Sequence, residues 1–193
     1  MIGAVILAAG QSRRMGRNKM LLPFGAVTVL ETVVLEVQAC PAVSDIVVVT
    51  GHESDQIAAL LAAYRVRCAF NPAYARAEML LSLQVGLRAF RSAVQGALVV
   101  LGDQPRLQRE VIQRVINASE PGKLVMPSYR MQRGHPLLID HIWWGELLDL
   151  PETATLRDFI RAHEEHIRYV VVETDSVLKD LDTPQDYEEL LKM

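Results

Sequence analysis

The first twenty residues constrain this chain more than any other stretch. An apolar run, Ala4-Val5-Ile6-Leu7, empties into a loop that opens at Gly10 and carries Arg13, Arg14, Gly16, Arg17 and Lys19. A short continuous apolar run that stops at a turn signal reads as a strand buried on both faces, the kind found in parallel sheets. A glycine-bearing cationic loop at the end of such a strand is suited to an anion. Its glycines let the backbone come close and turn N–H groups inward, and its side chains add positive charge. The polyphosphate of a nucleotide is the obvious ligand. The competing reading is a surface turn with solvated arginines.

Two familiar phosphate patterns do not fit. A P-loop reads Gly-x-x-x-x-Gly-Lys-Ser/Thr. Here five residues separate Gly10 from Gly16, and Asn18-Lys19-Met20 follows. A dinucleotide fingerprint reads Gly-x-Gly-x-x-Gly, and Gln11-Ser12 stands where its second glycine belongs.

Beyond the loop, strands alternate with helices. Asp45–Thr50, Val66–Phe70, Gly96–Leu101 and Leu124–Pro127 read as strands. Thr28–Gln38, His52–Ala63, Glu78–Phe90 and Glu110–Ala118 read as helices between them. That alternation predicts a parallel sheet with helices on both faces. The pattern loosens after Ser128. Pro136–Ile139 is a strand candidate for antiparallel pairing, Ile142–Leu148 and Leu156–His163 look helical, and Tyr169–Glu173 is a further strand. Leu178–Asp182 is a short segment before Pro184, which starts a last helix to Leu191. At 193 residues, with half of them apolar and 22% charged, the chain suits one globular domain spanning 1–193.

Charge and cysteine content narrow the function classes. A net charge of −3 argues against a nucleic-acid partner. Cys40 and Cys68 lie in no metal-ligand spacing and read as two buried thiols in a reducing cytosol. The apolar start lacks the basic segment of a leader peptide, so it reads as a strand. No run approaches the roughly 20 apolar residues of a membrane span. The expectation is a soluble cytoplasmic protein with no membrane partner.

Asp103 is the second anchor. It follows Gly102 at the carboxyl end of the most apolar strand. In open α/β sheets ligands bind outside the carboxyl ends of the strands, so Asp103 and the first loop open on the same side. A carboxylate facing a phosphate loop makes sense with Mg²⁺ between them, since that ion takes one or two carboxylates plus phosphate oxygens. The alternative is an aspartate that caps the turn before Pro105. Asp180 and Asp182 offer a second carboxylate, and on an extended strand they point to one face. Here too a cap competes, with Asp182 or Thr183 heading the last helix and Pro184 at its first position. His135 follows a glycine in a polar loop, where sites are common. His163 and His166 are expected to face solvent, and Trp143-Trp144 to pack. The chain has no Gly-x-Ser-x-Gly elbow and no His-Glu-x-x-His pattern.

These residues carry a resemblance. Leu-Ala-Ala-Gly-x-Ser-x-Arg-Met-Gly-x-x-Lys is the signature loop of nucleotidyltransferases that join a nucleoside triphosphate to a phosphorylated acceptor. Leu7, Ala8, Ala9, Gly10, Ser12, Arg14, Met15, Gly16 and Lys19 all match it. The chain most resembles the molybdenum-cofactor cytidylyltransferase group, and the likeness runs from Ala4 to the last helix. Guanylyltransferase relatives carry Leu-Ala-Gly-Gly here, so Ala9 leans the reading toward CTP. The resemblance implies a Rossmann-like three-layer α/β/α fold of the nucleotide-diphospho-sugar transferase kind, mostly parallel with an antiparallel addition. It implies that Asp103 of Gly-Asp-Gln-Pro and Asp182 of Asp-Leu-Asp-Thr-Pro hold Mg²⁺. It implies nucleotide binding by Leu7, Ala8, Ala9, Gly10, Ser12, Arg13, Arg14, Gly16, Lys19, Thr50, Asn71, Ser82 and Gly102. It implies acceptor binding by Arg133, Gly134, His135 and Pro136. One departure stands out: Ala77-Glu78 replaces the glycine that relatives carry before the third helix.

The implied reaction is in-line attack of an acceptor phosphate on the α-phosphorus of CTP, with pyrophosphate leaving. Arg14, Lys19 and Asp103 would be its catalytic residues, Mg²⁺ its cofactor and molybdenum-bearing molybdopterin its acceptor. A molybdoenzyme is the implied recipient of the product. GTP as donor, or a sugar phosphate or other acceptor, is the first alternative. A non-catalytic nucleotide-binding or delivery module is the second, and it would not need a second metal carboxylate.

Overall fold

A computed structural model describes residues 1–91 and 93–192. In chain order its elements are β1 (Ile2–Ala8), β2 (Pro23–Phe24), β3 (Val27–Thr28), α1 (Val29–Gln38), β4 (Val43–Thr50), α2 (Ser54–Leu60), β5 (Arg67–Phe70), α3 (Met79–Ala89), β6 (Gly96–Leu101) and α4 (Arg109–Asn117). There follow β7 (Leu124–Tyr129), β8 (Gln132–Arg133), β9 (Leu137–Asp140), α5 (Trp144–Asp149), α6 (Leu156–Ala162), β10 (Ile167–Val171) and α7 (Pro184–Leu191). The main sheet has eight strands, seven of them in the order β10-β7-β9-β6-β1-β4-β5, with β8 paired to β7. β1 lies parallel between β4 and β6. β9 is antiparallel to both its neighbours, β6 and β7. The sheet is therefore mixed and mostly parallel, with helices on both sides, as the element pattern predicts. β2 and β3 form a separate small hairpin in the stretch that reads from sequence as a turn.

Strand alternation distributes the core. Ala4, Ile6, Ile46, Val48, Leu98 and Val100 face Val33 and Val37 of α1, Ile57 of α2 and Ile112 of α4. Val5, Val47, Val49 and Val99 face Leu80, Leu83 and Leu87 of α3, Leu147 of α5 and Phe159 of α6. Residues next to each other in a strand point to opposite faces, so a continuous apolar run is what a sheet covered on both sides requires. A third, smaller cluster joins Met15 and Leu22 of the first loop region to Val29 and to Leu181, with Tyr187 and Leu190 of α7 packed on it. It fastens the far end of the chain to the first loop.

Several elements differ from the sequence reading for identifiable reasons. α2 starts at Ser54 and not at His52, because Glu53 takes a left-handed conformation at φ 55°; the chain tightens to a 3₁₀ turn over Leu61–Ala63. The Ile142–Leu148 helix is a 3₁₀ turn over His141–Trp143 followed by α5. β10 runs from Ile167 to Val171 and so ends earlier than the Tyr169–Glu173 strand. Asp180 and Asp182 do not lie on a strand. Both cysteines are free, but only Cys40 is buried; Cys68 is exposed on the edge strand β5. His163 does not face solvent. Its ring packs on Trp143 and Phe159, at centroid distances of 4.3 and 4.6 Å, and its Nε2 lies 2.8 Å from Glu146 Oε1.

Candidate active site

The carboxyl ends of β1, β4 and β6 gather the site. Ala8 is in register with Thr50, and Leu7 with Leu101. The Gly102 N–H donates to the Leu7 carbonyl at 3.0 Å, so Asp103 emerges beside the first loop. That loop folds as two 3₁₀ turns, Arg13–Met15 and Lys19–Leu21. Gly16 sits at φ 67° between them, where a side chain would be strained. Ser12 Oγ accepts from the Lys19 N–H at 3.1 Å, and Asn18 Oδ1 accepts from the Met20 N–H at 3.1 Å. These two side chains, of which Asn18 escaped the sequence reading, fix the turn that aims Lys19. Gly10 is exposed with open space above its Cα, so an incoming ligand meets backbone there.

Lys19 is the hub. Its ammonium pairs with Asp103 Oδ2, and it lies 3.0 Å from Asp182 Oδ1. Arg14 Nη2 reaches Asp182 Oδ2 at 2.7 Å. Burial alone would lower the Lys19 pKa, but Asp103 and Asp182 together outweigh burial and raise it. Burial would raise the Asp182 pKa, and the Lys19 and Arg14 cations bring it below the usual carboxylate value. Two carboxylates, distant in sequence, thus converge on one cation position. Among the described residues no three His, Cys, Asp or Glu side chains cluster as a metal cage. Both carboxylates are paired with Lys19 here, and two hard oxygen donors of this kind fit an ion that arrives with phosphate oxygens.

Asp182 and Asp180 take different roles. Asp180 accepts from Gln104 Nε2 at 2.7 Å. Burial, with the Asp103 charge adding to it, raises its pKa. Between them Leu181 is buried in the small third cluster, and its N–H donates to the Asp103 carbonyl at 3.0 Å. This anchor sets Asp182 against Lys19, and no sequence signal marks it apart from an apolar residue between two acids. The helix-cap alternative resolves as well. Thr183 Oγ1 caps α7 through the Asp186 N–H, and Asp186 Oδ2 accepts from Asp182 and Thr183 N–H groups. The Asp182 carboxylate is left for Lys19 and Arg14.

Of the remaining first-loop cations, Arg17 lies 5.8 Å over the Tyr187 ring of α7, while Arg13 is exposed. Asn71 and Ser82 are both buried, and Asn71 Nδ2 donates to Ser82 Oγ at 3.0 Å. The Asn71 N–H donates to the Thr50 carbonyl at 2.8 Å. These side chains brace the β5–α3 connection next to the end of β4. Ala77 in that connection keeps a glycine-like path, at φ 55°.

The Arg133–Pro136 segment lies on the other flank. Gly134 sits so close to the 175–177 turn that a Cβ would lie 2.6 Å from the Val177 carbonyl oxygen. The His135 N–H donates to that same carbonyl at 3.0 Å. Burial lowers the His135 pKa to about 4, against an opposing pull from Asp103, so the ring is neutral near pH 7. Arg133, Gly134 and His135 line a cavity of about 730 Å³; its other walls come from the start of α3 and from α6. Pro136 is buried behind them. The α6 wall has no counterpart in the sequence reading, since nothing local in Leu156–Ala162 marks it as more than an amphipathic helix.

A mixed, mostly parallel sheet with helices on both sides and a glycine-bearing cationic loop at its strand ends defines an α/β domain with its candidate site at the carboxyl edge of the sheet. Residues 4–167 match the family described as MobA-like NTP transferase domain, and the chain belongs to that family. It is 27% identical to the molybdenum cofactor cytidylyltransferase of Escherichia coli strain K12 over 188 residues, covering 96% of this chain and 93% of that one. It is 29% identical over 147 residues to the nicotine blue oxidoreductase of Paenarthrobacter nicotinovorans, covering 72% and 71%. Among solved structures it is similar to Rv0371c of Mycobacterium tuberculosis H37Rv, with TM-score 0.85, 26% identity, and 100% and 98% of the two chains covered. A nucleotidyl transferase from Methanothermobacter thermautotroptrophicus shares the fold at TM-score 0.86 and 24% identity, with 100% and 96% covered.

Proposed function

We propose that this protein transfers a cytidylyl group from CTP to the phosphate of molybdenum-bearing molybdopterin and releases pyrophosphate, with Mg²⁺ and in the cytoplasm. One observation carries the reading: Asp103 and Asp182 converge on Lys19 at the mouth of the glycine loop. Positive charge from Lys19 and Arg14 at that mouth suits a triphosphate and the pyrophosphate that departs from it. Asp103 and Asp182 would hold Mg²⁺, which when bound neutralises charge on phosphate oxygens. An acceptor phosphate is already anionic near neutral pH, so the site needs no general base, and the neutral His135 serves as a hydrogen-bonding partner and not as a proton acceptor. Catalysis is then a matter of holding two anions in line and screening their repulsion.

The cytidylyltransferase relative supports this reading, with its match over nearly the whole of both chains. The oxidoreductase relative matches over less of each chain. A lysine between two carboxylates suits phosphate chemistry better than electron transfer. The test is pyrophosphate release from protein, Mg²⁺ and molybdenum cofactor with CTP, GTP, ATP or UTP in turn. CTP should be turned over at least about tenfold faster than the others. No pyrophosphate with any donor, or a preference for GTP, would contradict the proposal.

A further inference from the structure

The cavity beside His135 holds two charged groups that nucleotidyl transfer does not use. Its floor is apolar and includes the side chains of Met79, Met126, Leu137 and Ile160. Thioethers and aliphatic chains of this kind pack well against the face of a flat ring. Three arginines line it. Arg133 is paired with Glu164 and Arg161 with Asp158. Among the described residues Arg157 has no carboxylate partner. The two lining carboxylates divide in the same way. Glu164 is committed to Arg133, whereas Glu78 makes no ion pair among the described residues. Its Oε1 accepts a long bond, 3.4 Å, from the Leu80 N–H at the start of α3. Glu78 is also the residue that follows the left-handed Ala77 at the head of α3.

An unpaired carboxylate at the N-cap of α3 and an unpaired guanidinium on α6, at one cavity with an apolar floor, suit a ring with a donor edge and an acceptor edge. We propose that Glu78 and Arg157 are specificity residues that read the two edges of the acceptor's fused heterocycle. Glu78 takes the amino group and ring N–H of a pterin, and Arg157 donates to its carbonyl side. The inference rests on the molybdopterin reading given above. A carboxylate accepts two parallel N–H bonds from such an edge, and a guanidinium supplies donors in a planar fork. A sugar phosphate has neither edge and would forgo the bonds that both groups offer a pterin.

The experiment is steady-state pyrophosphate release at saturating CTP with the molybdenum cofactor concentration varied, for the wild type, Glu78→Gln and Arg157→Gln. Glutamine keeps the capping oxygen and the side-chain volume but presents an amide N–H₂ to the donor edge. Acceptor KM should rise by about tenfold or more in each variant, with kcat little changed and CTP affinity by calorimetry unaltered. Unchanged acceptor KM in both variants overturns the inference while leaving the functional reading intact. Parallel losses of kcat and CTP affinity also overturn it, since they show a general role in the architecture of the site. A wild type that releases no pyrophosphate defeats the functional reading itself, and the inference with it.

Discussion

Lys19, Arg14, Asp103 and Asp182 form a charge cluster drawn from both ends and the middle of the chain. Lys19 and Asp103 were legible in the sequence because their signals are local: each follows a glycine-bearing turn at the end of an apolar run. Glu78 was not, because its placement depends on a backbone conformation at Ala77 that alanine rarely adopts. For an L-residue the left-handed region costs roughly 1–2 kcal/mol, while glycine gives back part of any gain through its larger unfolded-state entropy. Ala77→Gly should therefore stabilise the protein by about 0.5–1 kcal/mol, measured as a higher urea midpoint at constant slope. A lower midpoint would show that Ala77 is not strained.

At the scale of elements, the parallel strands and the helices between them were readable from apolar runs and amphipathic spacing. β9 as an antiparallel strand was also within reach, since Leu137–Asp140 keeps an apolar run after a turn. The β2–β3 hairpin was not, because two-residue strands give no periodic signal. Nor was the tie that gathers Leu181 with Met15, Leu22 and Val29 in one cluster, since these residues lie far apart in the chain. That tie holds the carboxylate arm, so its loss should be felt twice. Leu181→Ala removes a buried side chain and should cost about 2–4 kcal/mol, read by chemical denaturation. It should also loosen the hold of Lys19 on Asp182 and lower the rate of pyrophosphate release in the protein that remains folded. Wild-type stability together with wild-type rate would remove the cluster from the account.

For the whole molecule, the mixed sheet gives two flanks to one row of strand ends. The glycine loop and Thr50 lie over β1 and β4, the Arg133–His135 segment and its cavity lie past β6, and Asp103 stands between them. The class of fold and the side of the sheet that carries the site follow from the order of apolar runs, because ligands collect at the carboxyl ends of parallel strands. The size and charge of the cavity do not follow, because its α6 wall is folded over from late in the chain. The central claim is that Asp103 and Asp182 share one divalent cation with a bound nucleotide. Mn²⁺ binding in the presence of CTP, followed by electron paramagnetic resonance, tests it most directly. The account predicts that Asp103→Asn and Asp182→Asn each weaken Mn²⁺ binding by about tenfold or more without unfolding the protein. Wild-type Mn²⁺ affinity in both variants would contradict it.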